Sequence, residues 1–214
     1  MSKARNESKR EQAAAARAAF QKRKRRNTII TRLVGVAVVL LIGGGIAWWV
    51  VRDRALTAAV TTSTYTAGLH RSGQIAYAET PPLGGAHHVV WQNCGIYETP
   101  IHEEHGVHAM EHGAVWITYR PDLPADQVDQ LRAAARDDYM LLSPFPGLPS
   151  PIVLSAWNHQ VRLDRTDDPK LRAFISRYKN NPSTTPEFGA SCFGGTSAPA
   201  TANTLGATAA PPTR

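Results

Sequence analysis

The chain has 214 residues, 43% hydrophobic and 19% charged, enough for one domain with appendages and too ordinary for a fully disordered or collagen-like protein. Residues 1–32 carry 11 Lys/Arg against Glu7 and Glu11, a net of +9, whereas residues 52–214 carry 13 against 15 Asp/Glu, a net of −2. The basic character belongs to the N-terminal segment, so the bulk of the chain is excluded as a nucleic-acid binder by charge.

Residues 1–32 read as a basic cytoplasmic tail that fixes topology and leans on anionic lipid. Residues 33–51, LVGVAVVLLIGGGIAWWVV, contain no charge and predict a single transmembrane helix. At 1.5 Å per residue such a helix spans roughly 28 Å, the hydrocarbon thickness of a bilayer. Trp48 and Trp49 mark its far interface, and Lys22 to Arg26 with Arg32 mark its near side, which keeps the N-terminus in the cytoplasm and exports the remainder. A cleaved signal peptide is disfavoured: the run is too long, and Arg52-Asp53-Arg54 follows it directly. Residues 52–69, rich in Thr and Ala, read as a stalk; residues 70–193 are the segment able to bury a core; residues 194–214 read as a disordered tail.

Within residues 70–193 the second half is the more legible. Ala114 to Tyr119 is β-branched and aromatic and predicts a strand. Pro124 opens a helix with Val128, Leu131 and Ala135 on one face. Tyr139 to Leu142 is a short apolar run stopped by Pro144, and Ile152–Trp157 with Gln160–Leu163 predict a hairpin around Asn158-His159. Asp168 caps a second helix with Pro169 at its first position and Leu171, Phe174, Ile175 and Tyr178 at helical spacing. The expected fold class is α+β, a small sheet with two packed helices, preceded by the single transmembrane helix.

The first half concentrates chemistry. Six of eight histidines fall in GAHHVVWQNCGIYETPIHEEHGVHAMEHG, at His87, His88, His102, His105, His108 and His112. Imidazole is the commonest transition-metal ligand. His108 and His112, four apart, share one side of either a helix or a strand, and Glu111 beside them can be a ligand, an orienting partner or a base. The expected metal set is His108, His112, His87 and Glu111, with copper or zinc as the cation and copper favoured if Met110 or Cys94 contributes. His88 and His102 rank lower, Gly106 argues against a long helix through His105, and His70 and His159, outside the cluster, are expected to be structural. Cys94 and Cys192 are the only cysteines, and an even count in an exported segment favours a disulfide; the competing reading makes Cys94 a metal ligand.

His108-Ala109-Met110-Glu111-His112 also matches the inverted zinc-peptidase pattern H-x-x-E-H, which requires a helix and a third ligand; Glu187 is available for that place but nothing in the sequence requires it. A more extensive pattern runs through Pro81-Pro82, Gly85-x-His87, Cys94-Gly95-x-Tyr97, Val107-His108-x-x-Glu111-His112-Gly113-x-Val115, Pro144-x-Pro146 and Ala156-Trp157. Together these residues resemble the bacterial domain-of-unknown-function family 3105 over about residues 75–192. The resemblance implies one exported domain on an N-terminal anchor with the histidine motif as its hallmark, and it implies no reaction. It also implies a hydroxyl residue before the glycine matched by Gly85, where this chain has Gly84.

The sequence thus points to a membrane-anchored, extracytoplasmic, histidine-rich domain that binds a transition metal, more a binding module than an enzyme. The alternatives are a non-catalytic accessory protein of the envelope with structural histidines and, less favoured, a metal-dependent hydrolase. The lipid bilayer is the expected partner, with room for a membrane-protein partner; oligomeric state is left open.

Overall fold

The computed structural model describes residues 2–206. Helix α1 runs Ser2–Ala59, and two compact units meet between Arg54 and Ala55. In the first unit Leu33, Leu40, Leu41, Val51 and the rings of Trp48 and Trp49 are exposed, and the helix is long and apolar enough to cross a membrane. Gly43, Gly44 and Gly45 leave its surface smooth, with nothing within 4 Å of where a Cβ would stand.

The second unit is built on a six-stranded mixed sheet in the order β1-β6-β5-β3-β4-β2. The strands are β1 Thr61–Thr62, β2 Gly95–Ile96, β3 Val115–Tyr119, β4 Met140–Pro144, β5 Ile152–Ala156 and β6 His159–Leu163. Helices α2 (Glu103–Glu111), α3 (Ala125–Ala134) and α4 (Pro169–Tyr178) complete the mixed α/β unit. β3 and β4 are parallel, joined by α3 as a crossover, and β5–β6 is an antiparallel hairpin in the register Ala156↔His159. Its turn is Trp157-Asn158, one residue earlier than the sequence suggested, with Asn158 at φ +63°, a conformation Asn tolerates better than most residues. Asp168 caps α4 as expected, accepting from the Lys170 N–H at 2.9 Å.

β3, β4 and β5 are buried along their whole length, because both faces of the sheet are covered. Val115, Ile117, Met140, Leu142, Ile152 and Leu154 pack with Leu131, Leu171 and Phe174 on the side of α3 and α4. The alternate residues Trp116, Leu141 and Val153 face the other way, toward Val107 and Met110 of α2. The expected pair of helices on the sheet is present as α3 and α4; α2 adds a layer opposite them.

Two segments expected to lie outside the folded domain, the stalk and the disordered tail, are in part integrated into it. Of the expected stalk, α1 extends to Ala59, Thr61 and Thr62 pair with Gln160 and His159 of β6, and the Tyr65 N–H donates to Asn158 Oδ1 at 2.7 Å. Threonine's branched Cβ suits an edge strand, so a stretch poor in large apolar side chains is held by backbone pairing. Of the expected tail, residues 194–206 lie along the domain: Thr196 bridges Gln92, the Gly73 N–H donates to Leu205 O at 2.9 Å, and Leu205 is buried. The remainder, residues 207–214, lies outside the described residues.

Candidate metal centre

Helix α2 carries the site, and its own packing explains its placement. Gly106 is the point of closest approach to the sheet, since a Cβ there would stand 2.8 Å from the Trp116 ring. The glycine that argued against a long helix lies in one of nine residues, and its missing side chain lets this helix lie flat on β3. From α2, His108 and Glu111 project as buried side chains, 4% and 0% exposed, and His112 caps the C-terminus.

His87 arrives from a different segment. Its backbone pairs in parallel with the strand-like stretch around His70: the His87 N–H donates to Leu69 O at 3.0 Å and the Arg71 N–H to His87 O at 2.8 Å. This pairing brings in His70, a residue the sequence analysis set aside as structural. No spacing signal marks it, because its neighbour is 17 positions away and the bridge is purely tertiary. The rings of His70, His87 and His108 stand 4.7–4.9 Å apart by centroid. One ligand atom from each of His70, His87, His108 and Glu111 lies within 4.8 Å of the others, a group able to hold a metal ion.

The orientation of the rings is fixed by backbone. His87 Nδ1 donates to Gly85 O at 2.8 Å, His108 Nδ1 to His88 O at 2.7 Å and His112 Nδ1 to Ser191 O at 2.7 Å. A carbonyl only accepts, so each Nδ1 carries the hydrogen and the neutral form of each ring would present a bare Nε2, the arrangement that outer-shell carbonyls impose on metal-ligating histidines. His87 Nε2 faces Glu111 Oε2 at 2.8 Å with both side chains fully buried. At that distance the two atoms share a hydrogen when His87 is protonated and meet as two lone pairs when it is neutral. Glu111 Oε1 accepts from the Gly68 N–H at 2.6 Å. Burial raises the Glu111 carboxyl, but His87 and the Gly68 N–H outweigh it and hold the group below its ordinary range, as a carboxylate. Burial pushes the His108 imidazole down to about 4, against the opposing pull of the His88 carbonyl, so the ring is neutral at physiological pH.

Of the expected ligands, His87, His108 and Glu111 converge, while His112 belongs to a neighbouring group with His108 and Glu187. The sulfur donors are absent from both. Cys94 and Cys192 form a disulfide with Cα atoms 5.4 Å apart, and Met110 is buried in the apolar core. The other imidazoles hold structure. His105 donates from Nδ1 to Val90 O at 2.6 Å and meets Thr204 Oγ1 through Nε2, His102 donates to Ala202 O, His88 accepts from the Val90 N–H, and His159 donates to Trp157 O. Gly84, where the resemblance implied a hydroxyl residue, abuts Tyr65: a Cβ there would lie 3.0 Å from that ring.

The family model described as "Protein of unknown function (DUF3105)" matches residues 70–194. The chain belongs to this family. No curated protein and no solved structure matches it. The matched span contains every residue of both histidine–glutamate groups and both cysteines of the disulfide.

Proposed function

We propose that this chain is a membrane-tethered, extracytoplasmic module that binds a divalent transition-metal ion through His70, His87, His108 and Glu111. The observation that carries the reading is the convergence of one ligand atom from each of His70, His87, His108 and Glu111 to within 4.8 Å of one another, with His87, His108 and Glu111 buried. The buried His87–Glu111 contact within that group is favourable only with a proton or a metal cation between the two atoms. Three nitrogens and one carboxylate oxygen suit zinc(II) or copper(II), and without thiolate or thioether the preference for copper that Cys94 or Met110 would have given is lost. A proton on His87 is the competing way to satisfy the pair, and the test separates the two.

The location rests on the apolar helix, on the basic residues that precede it, and on the disulfide, a bond that persists in oxidising compartments. A hydrolytic role is less supported. Both Glu111 oxygens are engaged, by Gly68 and by His87, and neither faces an open position as a water-activating base must.

Full-length protein in detergent, stripped with chelator and dialysed against zinc(II) or copper(II), is expected to retain one equivalent and to melt at a higher temperature. His108→Ala is expected to lose at least about 100-fold in affinity, in line with removal of a ligand. A wild-type chain that retains no metal, or a His108→Ala variant that binds as well, overturns the proposal in favour of a structural role for the histidines.

A further inference from the structure

His108 is counted twice. Its Nε2 lies among His70, His87 and Glu111, and it also belongs to a second group with His112 and Glu187, again with ligand atoms within 4.8 Å of one another. This second group repeats the electronic arrangement of the first. His112 Nδ1 is spent on Ser191 O, so the ring presents Nε2, which faces Glu187 Oε2 at 3.1 Å. Glu187 is tied to the end of α2 by its own N–H, which donates to Glu111 O at 3.1 Å, and its neighbour Ala190 is held by the Tyr139 hydroxyl at 2.8 Å. The Trp91 ring packs on both imidazoles, with centroids 4.6 Å from His112 and 5.6 Å from His108. The two groups differ in setting: the carboxylate of the first is fully buried, that of the second 44% exposed.

We infer that His108, His112 and Glu187 form a second transition-metal position that shares its His108 ligand with the first, so that a cation completes one position only by vacating the other. With Nδ1 bonded to the His88 carbonyl, His108 has one lone pair, and one lone pair coordinates one ion. Two adjoining sets with a single common ligand give the cation alternative seats separated by the width of one imidazole, the outer one reachable by solvent through Glu187. This inference rests on the metal-binding reading above and adds to it a competition that a single site lacks.

A double-mutant cycle on the full-length chain in detergent tests it, using two surface side chains that can be removed without opening the core: His70→Ala from the inner set and Glu187→Ala from the outer. The readouts are copper(II) affinity and the nitrogen couplings in the electron paramagnetic resonance spectrum. Wild type is expected to bind one tight equivalent with three coupled nitrogens. Glu187→Ala alone is expected to change affinity less than twofold, and in the His70→Ala background to cost at least tenfold. His70→Ala is expected to reduce the coupling to two nitrogens, and a further His112→Ala to weaken binding again. Equal effects of Glu187→Ala in the two backgrounds, or two tight equivalents in the wild type, overturn the shared-ligand arrangement while leaving the inner site in place. A wild type without bound copper instead refutes the underlying metal-binding proposal.

Discussion

His105 shows how burial alone shapes a histidine. It is fully buried one turn before His108, and burial lowers its imidazole to about 4, against the opposing Val90 carbonyl and with help from the nearby His88 and His102. In the unfolded chain the same ring titrates near 6.5. Between these values the unfolded state binds a proton that the native state refuses, so stability rises with pH across that window. His105 therefore contributes fully above about pH 6.5, and on the order of 3 kcal/mol is lost as pH falls to about 4. Thermal melts of metal-free protein are expected to trace that decline, and His105→Gln to reduce its slope, with His108, lowered to about 4 in the same way, supplying part of the remainder; a slope unchanged by the substitution removes His105 as a source. Other residues were legible from their types. Asp168 announces a cap by preceding Pro169, and Cys94 and Cys192 announce a bridge by being the only pair. His70 was not, because nothing about its position marks it until a backbone bridge places it beside a ring; Glu187 was named as an available third ligand for His108 and His112, but only the loop that sets it beside His112 singles it out.

At the scale of the element, α2 is the piece on which the site depends. It lies against β3 through Gly106, whose missing side chain makes room for Trp116. Gly106→Ala requires the helix or the indole to move by several tenths of an ångström. The expected cost is about 1–3 kcal/mol, typical of an overpacked core. Because His108 and Glu111 ride on the same helix, the substitution is also expected to weaken copper or zinc binding, although no ligand is touched. Chemical denaturation and metal titration of the variant check both effects, and an unchanged affinity would mean that the helix does not set ligand positions. β3, β5 and β6 were readable as β-branched and apolar runs bounded by turn residues, and the two helices on the opposite face because their 3.6-residue period survives in the sequence. α2 was harder: its buried face consists largely of His, Glu and Gly, residues that a search for apolar periodicity passes over.

For the whole molecule, the disulfide joins residues 98 positions apart and fastens the C-terminal segment beside the centre, with Ser191, which orients His112, next to Cys192. A cross-link closing a loop of that length restricts the unfolded chain by about 4–5 kcal/mol in the entropic account. Reduction is accordingly expected to lower the melting temperature by roughly 10 °C, and no change on complete reduction would show that the bridge contributes nothing to folding. The proposed topology has its own check. Protease added to the outer face of intact cells is expected to digest the C-terminal unit and spare residues 1–32; the reverse protection would invert the orientation.

Composition and periodicity alone determined the apolar N-terminal helix, strands β3, β5 and β6, helices α3 and α4 and the histidine-rich character of the candidate site, because each is written in neighbouring residues as a run, a period or a cluster. The tertiary structure decided which imidazoles meet. It exchanged His112 for His70 beside His87, removed sulfur from the donor set by pairing Cys94 with Cys192, and drew residues 60–69 and 194–206 onto the domain. The physical reason is common to all of these: ligand geometry and edge pairing are made by backbone hydrogen bonds between distant segments, and a backbone N–H or C=O is the same at every position of the sequence.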